Sequence, residues 1–285
     1  MLAAQFFFAS TSVVGRFALQ TFTPLALMVT RVVGAAAVFW ALAPRSAYRV
    51  PFTRRELGVV AACGVLGLVI NQGLFLAGLS LSTAIDATVV NTAMPVFAAA
   101  IAIAVGDERP ALHKLAGIGL ALVGAMALAN LDDLHHVSVG DLLFVANSLA
   151  FAGYLVIVRR LALRFDSLTV SRWTFAFAAA FALPMLGLGR LSYHSPDAWA
   201  LAEAVWLVLG PTVLAYGLSA YALERLESST VASFIYIQPV IAAALAIPLL
   251  GERPGPRTGV GAALIFAGVL LASSGGGRQK VLDAA

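Results

Sequence analysis

The sequence predicts an all-α membrane protein whose ten transmembrane helices form two inverted five-helix repeats. Three observations carry that prediction. Of the 285 residues, 61% are hydrophobic and 11% charged, with a mean hydropathy of +0.93, which leaves too little polar surface to dissolve such a chain. Apolar runs of about 20 residues, the length that crosses a bilayer, recur ten times. The chain also repeats itself at an offset of 144 residues without a gap. Pro95-Val96, Ala98-Ala99-Ala100, Glu108-Arg109-Pro110, Gly117, Leu120 and Gly124 return as Pro239-Val240, Ala242-Ala243-Ala244, Glu252-Arg253-Pro254, Gly261, Leu264 and Gly268. Gly73-Leu74 and Gly217-Leu218 extend the match backward.

The spans follow in order. The first, 2–20, starts almost at Met1 with no basic leader and reads as a retained helix rather than a cleaved signal. The second, 23–43, begins at the break of Pro24 and carries Arg31. The third, 57–80, holds Cys63, Asn71, Gln72 and Gly73; a lone cysteine forms no internal disulfide and reads as a small core residue. The fourth, 83–106, carries Asp86 near its start, then Thr88, Asn91, Thr92 and Pro95. The fifth, 113–130, is glycine-rich and completes the first repeat, 1–130. A connecting loop, 131–139, leads to the second repeat, 140–275, whose spans are 140–162, 168–189, 199–223, 228–250 and 256–275. Residues 276–285 read as a flexible tail. Strands are excluded, because continuous apolar runs lack the alternation of a closed barrel.

Five spans per repeat is an odd number, so the second copy enters the bilayer upside down. Inverted repeats around a midplane site mark a secondary transporter. Orientation follows from the basic residues. With the N-terminus inside, the inner loops hold Arg45, Arg49, Arg54, Arg55, Arg109, Lys114, Arg159, Arg160, Arg164, Arg225, Arg278 and Lys280. The outer loops hold only Arg190, Arg253 and Arg257, and the outer connection between the halves carries Asp132 and Asp133. Both termini are therefore expected in the cytoplasm. The net charge of +4 reflects these topology signals and not nucleic-acid binding.

The ten-helix plan, and the segments Pro95 to Gly124 and Pro239 to Gly268 around Glu-Arg-Pro, resemble the EamA-type branch of the drug/metabolite transporter superfamily. The resemblance covers nearly the whole chain; the first copy has Asp107 where the second has Gly251. It implies a cavity formed by helices 1 to 4 and 6 to 9, with helices 5 and 10 outside. Members include metabolite exporters, among them the YddG-like aromatic amino-acid exporter group, and organellar sugar-phosphate and nucleotide-sugar carriers.

Thr88, Asn91, Thr92 and Pro95 share one helical face, and Pro95 loosens the helix there. That polar stripe lines a cavity or glues helices together. The matching face of the ninth span carries Ala232, Ile235, Tyr236 and Pro239, with Gln238 beside it, so an aromatic and amide wall opposes small polar groups. Gln72 and Tyr216 align at the repeat offset, just before Gly73 and Gly217, which serve as packing points or hinges. Tyr221 is too polar-tipped for lipid at midplane, and Trp206 lies deep enough to be a cavity residue. Trp173 and Trp199 read as interfacial belt residues. Arg31 sits about 10 Å into its helix and needs water, an acid or a substrate carboxylate, with Asp86 the candidate acid. Arg16 and Arg172 are expected to snorkel.

Enzymatic readings lack a pattern. His135 and His136 beside Asp132 and Asp133 have no metal-ligand spacing, and no phosphate-binding loop or nucleophile motif occurs. The expectation is a transporter without cofactor or metal. It would export small amphipathic metabolites, amino acids above all, from a bacterial inner membrane by alternating access. Its partners would be the small-molecule substrate and the bilayer, as a monomer or weak homodimer. The alternatives are a nucleotide-sugar, sugar-phosphate or drug carrier of the same superfamily, or a membrane enzyme or structural subunit.

Overall fold

Each apolar run condenses into a helix because a bilayer offers backbone groups no partner but each other. The computed structural model describes residues 1–42, 52–106, 112–128, 138–223 and 234–273. Among the described residues the helices are α1 (Leu2–Thr21), α2 (Pro24–Ala41), α3 (Arg54–Leu81), α4 (Ala84–Ala104), α5 (Leu112–Leu128), α6 (Val139–Ala162), α7 (Ser167–Leu188), α8 (Ala198–Leu223), α9 (Phe234–Leu250) and α10 (Pro256–Ser273). Seven of them are long and apolar enough to cross a membrane, and α5, α9 and α10 hold shorter apolar helices. Among the described residues there is no strand, only an isolated bridge between Phe22 and Ser192. The expected start of the ninth span at 228, Ala232, the loop with His135 and His136, and the tail from 276 lie outside the described residues.

Side-chain caps set the helix starts. Thr23, Thr53, Thr83, Ser138, Asp166 and Asp197 each accept a backbone N–H of the first turn. Thr53 and Glu56 form a full capping box, which starts α3 three residues earlier than hydropathy alone placed it.

The two halves pack as mates. α1 lies on α9 as α6 lies on α4, α3 lies on α6 as α8 lies on α1, and α2 with α7 and α5 with α10 pair across the pseudo-two-fold axis. The glycines that define the repeat bring α5 and α10 together. A Cβ on Gly124 would stand 2.9 Å from the Gly261 carbonyl oxygen, an approach that only small residues allow.

Irregularities also obey the repeat. α3 contains a π-helical turn at Val65–Ile70, and α8 contains one at Val208–Leu214. α4 breaks at Thr92 and Ala93, just before Pro95, while a 3₁₀ turn at Phe234–Ile237 precedes Pro239. Both prolines sit in the first turn of a new α-helical segment, where a missing N–H costs nothing. Gly73 and Gly217 do not break their helices, contrary to expectation. Regular α-helix runs through Asn71–Leu81 and Ala215–Leu223, and the irregular turn lies immediately upstream. Nor does packing demand them: a Cβ on Gly73 would meet nothing within 4 Å, and one on Gly217 only an ordinary contact with Phe39.

Packing instead demands Gly67, inside the π turn, where an added Cβ would fall 2.1 Å from the Tyr154 ring. Gly67→Ala is therefore expected to destabilise the bundle by about 1–3 kcal/mol. The melting temperature in detergent should fall for Gly67→Ala and stay unchanged for Gly73→Ala. Equal melting of the two variants would contradict this packing.

Candidate functional site

Seven helices enclose a cavity with about 700 Å³ of space between atoms, part of it open to the exterior. Five pairs of its lining residues stand 144 positions apart, so the repeat builds the chamber: Thr11 with Leu155, Gln72 with Tyr216, Phe75 with Ser219, Asn91 with Ile235, and Met94 with Gln238. Within each pair the chemistry differs. A hydroxyl is matched by an aliphatic chain, an amide by a phenol, a ring by a hydroxyl, an amide by an aliphatic chain, and a thioether by an amide. A nearly symmetric frame thus presents an asymmetric surface, which holds a small ligand in one orientation.

α1 adds Gln5, Phe8 and Thr11, and α6 adds Asn147, Phe151 and Leu155. The rings of Phe8, Phe151 and Tyr216 touch one another at centroid distances of 5.4 to 6.2 Å, giving one wall an aromatic lining. Amides stitch the wall to its neighbours. Asn71 Nδ2 donates to the Asn147 carbonyl at 3.3 Å, and Asn147 Nδ2 donates back to the Asn71 carbonyl at 2.8 Å. Gln238 and Gln5 share a side-chain bond of 2.6 Å, and Ser148 donates to Asn91 Oδ1 at 3.1 Å. The Tyr216 hydroxyl has the Gly67 carbonyl at 3.2 Å and Asn71 Oδ1 at 3.1 Å as acceptors.

Among the described residues Arg31 is the lone cationic residue of the lining, and it is 3% exposed. Its Nε donates to Thr212 Oγ1 at 3.0 Å, and Thr212 in turn donates to the Leu207 carbonyl at 2.6 Å, five residues back in the π turn of α8. That turn aims the guanidinium by holding one edge of it. Among the described residues no Asp or Glu lines the cavity and no ion pair to Arg31 occurs. Asp86 is engaged elsewhere: Thr83 Oγ1 donates to its Oδ2 at 2.8 Å and Thr258 Oγ1 to its Oδ1 at 2.7 Å. The Arg31–Asp86 lock therefore does not form here.

Of the expected site residues, the cavity brings together Arg31, Gln72, Asn91, Tyr216 and Gln238. The others lie off it. Thr88 and Thr92 return their hydroxyls to the Ile85 and Val89 carbonyls of their own helix. Trp206 is 40% exposed, with its Nε1 donating to Ser10, and Tyr221 is 52% exposed. Tyr236 packs on Phe266 of α10. Tyr236 faces α10 because its neighbours Ile235 and Gln238 take the cavity face. Arg16 does not snorkel but donates to the Leu79 carbonyl at 2.7 Å, and buried Arg172 stacks on Trp40. Trp173 packs against Trp40, Phe52 and Phe177, and Trp199 is exposed. Gln5 and Asn147 were missed. Each is a single amide in an apolar run, and α1 and α6 are where the repeat is loosest.

The cavity's two-half construction is matched by kinship along the chain. The EamA-like transporter family matches residues 1–130 and again 138–274. The chain belongs to that family. α1 to α5 form the first matched unit and α6 to α10 the second, and neither α5 nor α10 lends a residue to the cavity. An uncharacterized transporter of Archaeoglobus fulgidus is 30% identical over 226 residues, 77% of this chain and 76% of that protein. A probable terminal-alkyne amino-acid exporter of Streptantibioticus cattleyicolor is 28% identical over 217 residues, 76% of this chain and 73% of that protein. A crystal structure at 21% identity superposes with a TM-score of 0.68, covering 95% of this chain and 94% of that one, and supports the fold. This EamA-like protein is thus a multi-pass membrane transporter.

Proposed function

We propose that the protein exports small amphipathic metabolites, amino acids foremost, by exposing the cavity alternately to the two sides of a bacterial inner membrane. One observation carries the reading: a buried arginine without an acidic partner among the described residues shares an amide-lined chamber with an aromatic wall. An arginine that deep is tolerated when an anion completes it. A carboxylate on Arg31 and an apolar side chain against Phe8 and Phe151 fit one amino acid. The relative named as a probable amino-acid exporter supports the class. Sugar-phosphate and nucleotide-sugar carriers are the weaker reading, because phosphates call for more than one cation and the lining supplies Arg31 alone. The charge bias supports both termini in the cytoplasm, and a cavity lined from one chain supports a monomer or weak homodimer.

The test is efflux of labelled leucine and phenylalanine from proteoliposomes. Saturable flux above that of empty liposomes is expected, and its absence for every amino acid would overturn the reading. The same liposomes examine energy coupling. With no carboxyl or histidine among the lining residues, protonation has nothing to act on in the chamber. Efflux down the substrate gradient should persist at an unchanged rate when the proton gradient is collapsed. Loss of efflux on collapse, restored by an imposed pH difference, would show proton coupling instead.

A further inference from the structure

The cavity contains hydrogen-bonding atoms that the protein itself leaves unanswered. Gln72 is 2% exposed, and among the described residues neither its Nε2 nor its Oε1 has a hydrogen-bond partner. Asn147 is as deeply buried, and its Oδ1 is likewise alone. The Tyr216 hydroxyl lies beside Gln72, but its acceptors are the Gly67 carbonyl and Asn71 Oδ1. The orientation of Asn147 is fixed by its Nδ2, which is spent on the Asn71 carbonyl, so the oxygen is the free end. The reciprocal bonds between Asn71 and Asn147 set Gln72 and Asn147 at one level of the bundle, on facing helices. Polar atoms buried without partners destabilise a fold unless something else completes them.

The unfilled set comprises one amide NH2 donor and two acceptors in the cavity that Arg31 also lines. A carboxylate alone satisfies the donors and leaves both amide oxygens facing lone pairs. An α-ammonium supplies the missing N–H groups. We propose that Gln72 and Asn147 are the residues by which this transporter recognises the ammonium of its substrate, with Arg31 and Gln72 Nε2 on the carboxylate and the two amide oxygens on the ammonium. This rests on the amino-acid reading above and deepens it. Neutral carboxamides suit the task for a physical reason. An acid in this chamber would pair with Arg31 and close the site to a zwitterion, whereas an amide oxygen accepts from ammonium without competing for the guanidinium.

The test is calorimetric titration of the purified protein with L-phenylalanine and L-leucine, and with their des-amino counterparts 3-phenylpropionate and 4-methylpentanoate. The wild type is expected to bind each amino acid at least tenfold more tightly than its counterpart. Gln72→Leu should bring the ratio toward one while binding of the carboxylates persists, and Gln72→Glu, whose acid would pair with Arg31, should weaken binding of amino acids and carboxylates alike. Removing the orphaned amide should leave the melting temperature of Gln72→Leu unchanged or higher, which separates lost recognition from lost folding. A wild-type ratio near one, or an unchanged ratio in Gln72→Leu, overturns the assignment while leaving a carboxylate exporter standing. A wild type that binds the carboxylates and amino acids not at all removes the amino-acid reading, and the assignment with it.

Discussion

Replacing Arg31 with glutamine is expected to cut amino-acid flux by roughly 100-fold, the equivalent of about 3 kcal/mol for a buried, charge-assisted contact. Glutamine retains a donor for Thr212 but offers no cation to a carboxylate. Stability should move the other way. Since Arg31 has no acidic partner among the described residues, its removal relieves a buried charge, and melting in detergent should hold or rise. Flux is to be measured at matched abundance in proteoliposomes. The paired exchange Arg31→Asp with Asp86→Arg should remain inactive, because Asp86 serves Thr83 and Thr258 and not Arg31. Recovery in the exchange, or full flux in Arg31→Gln, would remove Arg31 from the substrate's path.

Releasing the arginine-poor end of the bundle, the outer end by the charge rule, should produce the next largest effect. There the two halves are joined by polar contacts at helix starts. The Glu252 carboxylate accepts from the Ala84 and Ile85 amides at 2.8 and 3.1 Å, capping α4 from the α9–α10 turn. Thr258 bonds Asp86, Ser82 bonds Asp141, and Thr23 donates to the Arg190 carbonyl. The Glu-Arg-Pro motif reads in the sequence as a charged exit from a helix. In the fold its glutamate becomes a clasp, since a carboxylate is best placed against the free N–H groups of a helix start. Glu252→Ala removes two charge-assisted bonds, part of whose strength water restores. A net shift of about 2 kcal/mol is expected, opening this end about 30-fold more often. A cysteine at Asn91, in a Cys63→Ser background, should then react about 30-fold faster with an impermeant maleimide applied from that side. Unchanged labelling would show that closure rests on packing alone.

The paired use of rings and amides also explains why one substitution reads poorly. Tyr216 touches Phe8, Phe151, Tyr154 and Phe175 at centroid distances of 5.4 to 6.1 Å, so Tyr216→Ala removes packing together with any substrate contact. Asn91, whose Oδ1 accepts from Ser148, and Gln72, whose amide has no hydrogen-bond partner among the described residues, are the cleaner probes.

Hydropathy is a local property, and so the sequence by itself determined the ten spans, their order and the two-half plan. The repeat did more, because equal sequence at a fixed offset demands equal placement. It is why Gln72 and Tyr216, found only as aligned positions, meet across one cavity, and why the breaks ahead of Pro95 and Pro239 coincide. Which face of each helix turns inward is not local. The π turns at Val65–Ile70 and Val208–Leu214 shift the helical phase by about one residue, so a regular 3.6-residue count could not tell that Tyr216 faces in and Trp206 out. Thr88 and Thr92 were legible as polar, with their own backbone carbonyls and a cavity both open to them, since a hydroxyl chooses between the two only once the neighbours are in place. Only the tertiary structure decided that Arg31 would be held by Thr212, 181 residues away, and that the Gln72 amide, beside Tyr216, would have no hydrogen-bond partner among the described residues. Both facts depend on side chains contributed by distant helices, whose mutual rotation no single stretch of sequence encodes.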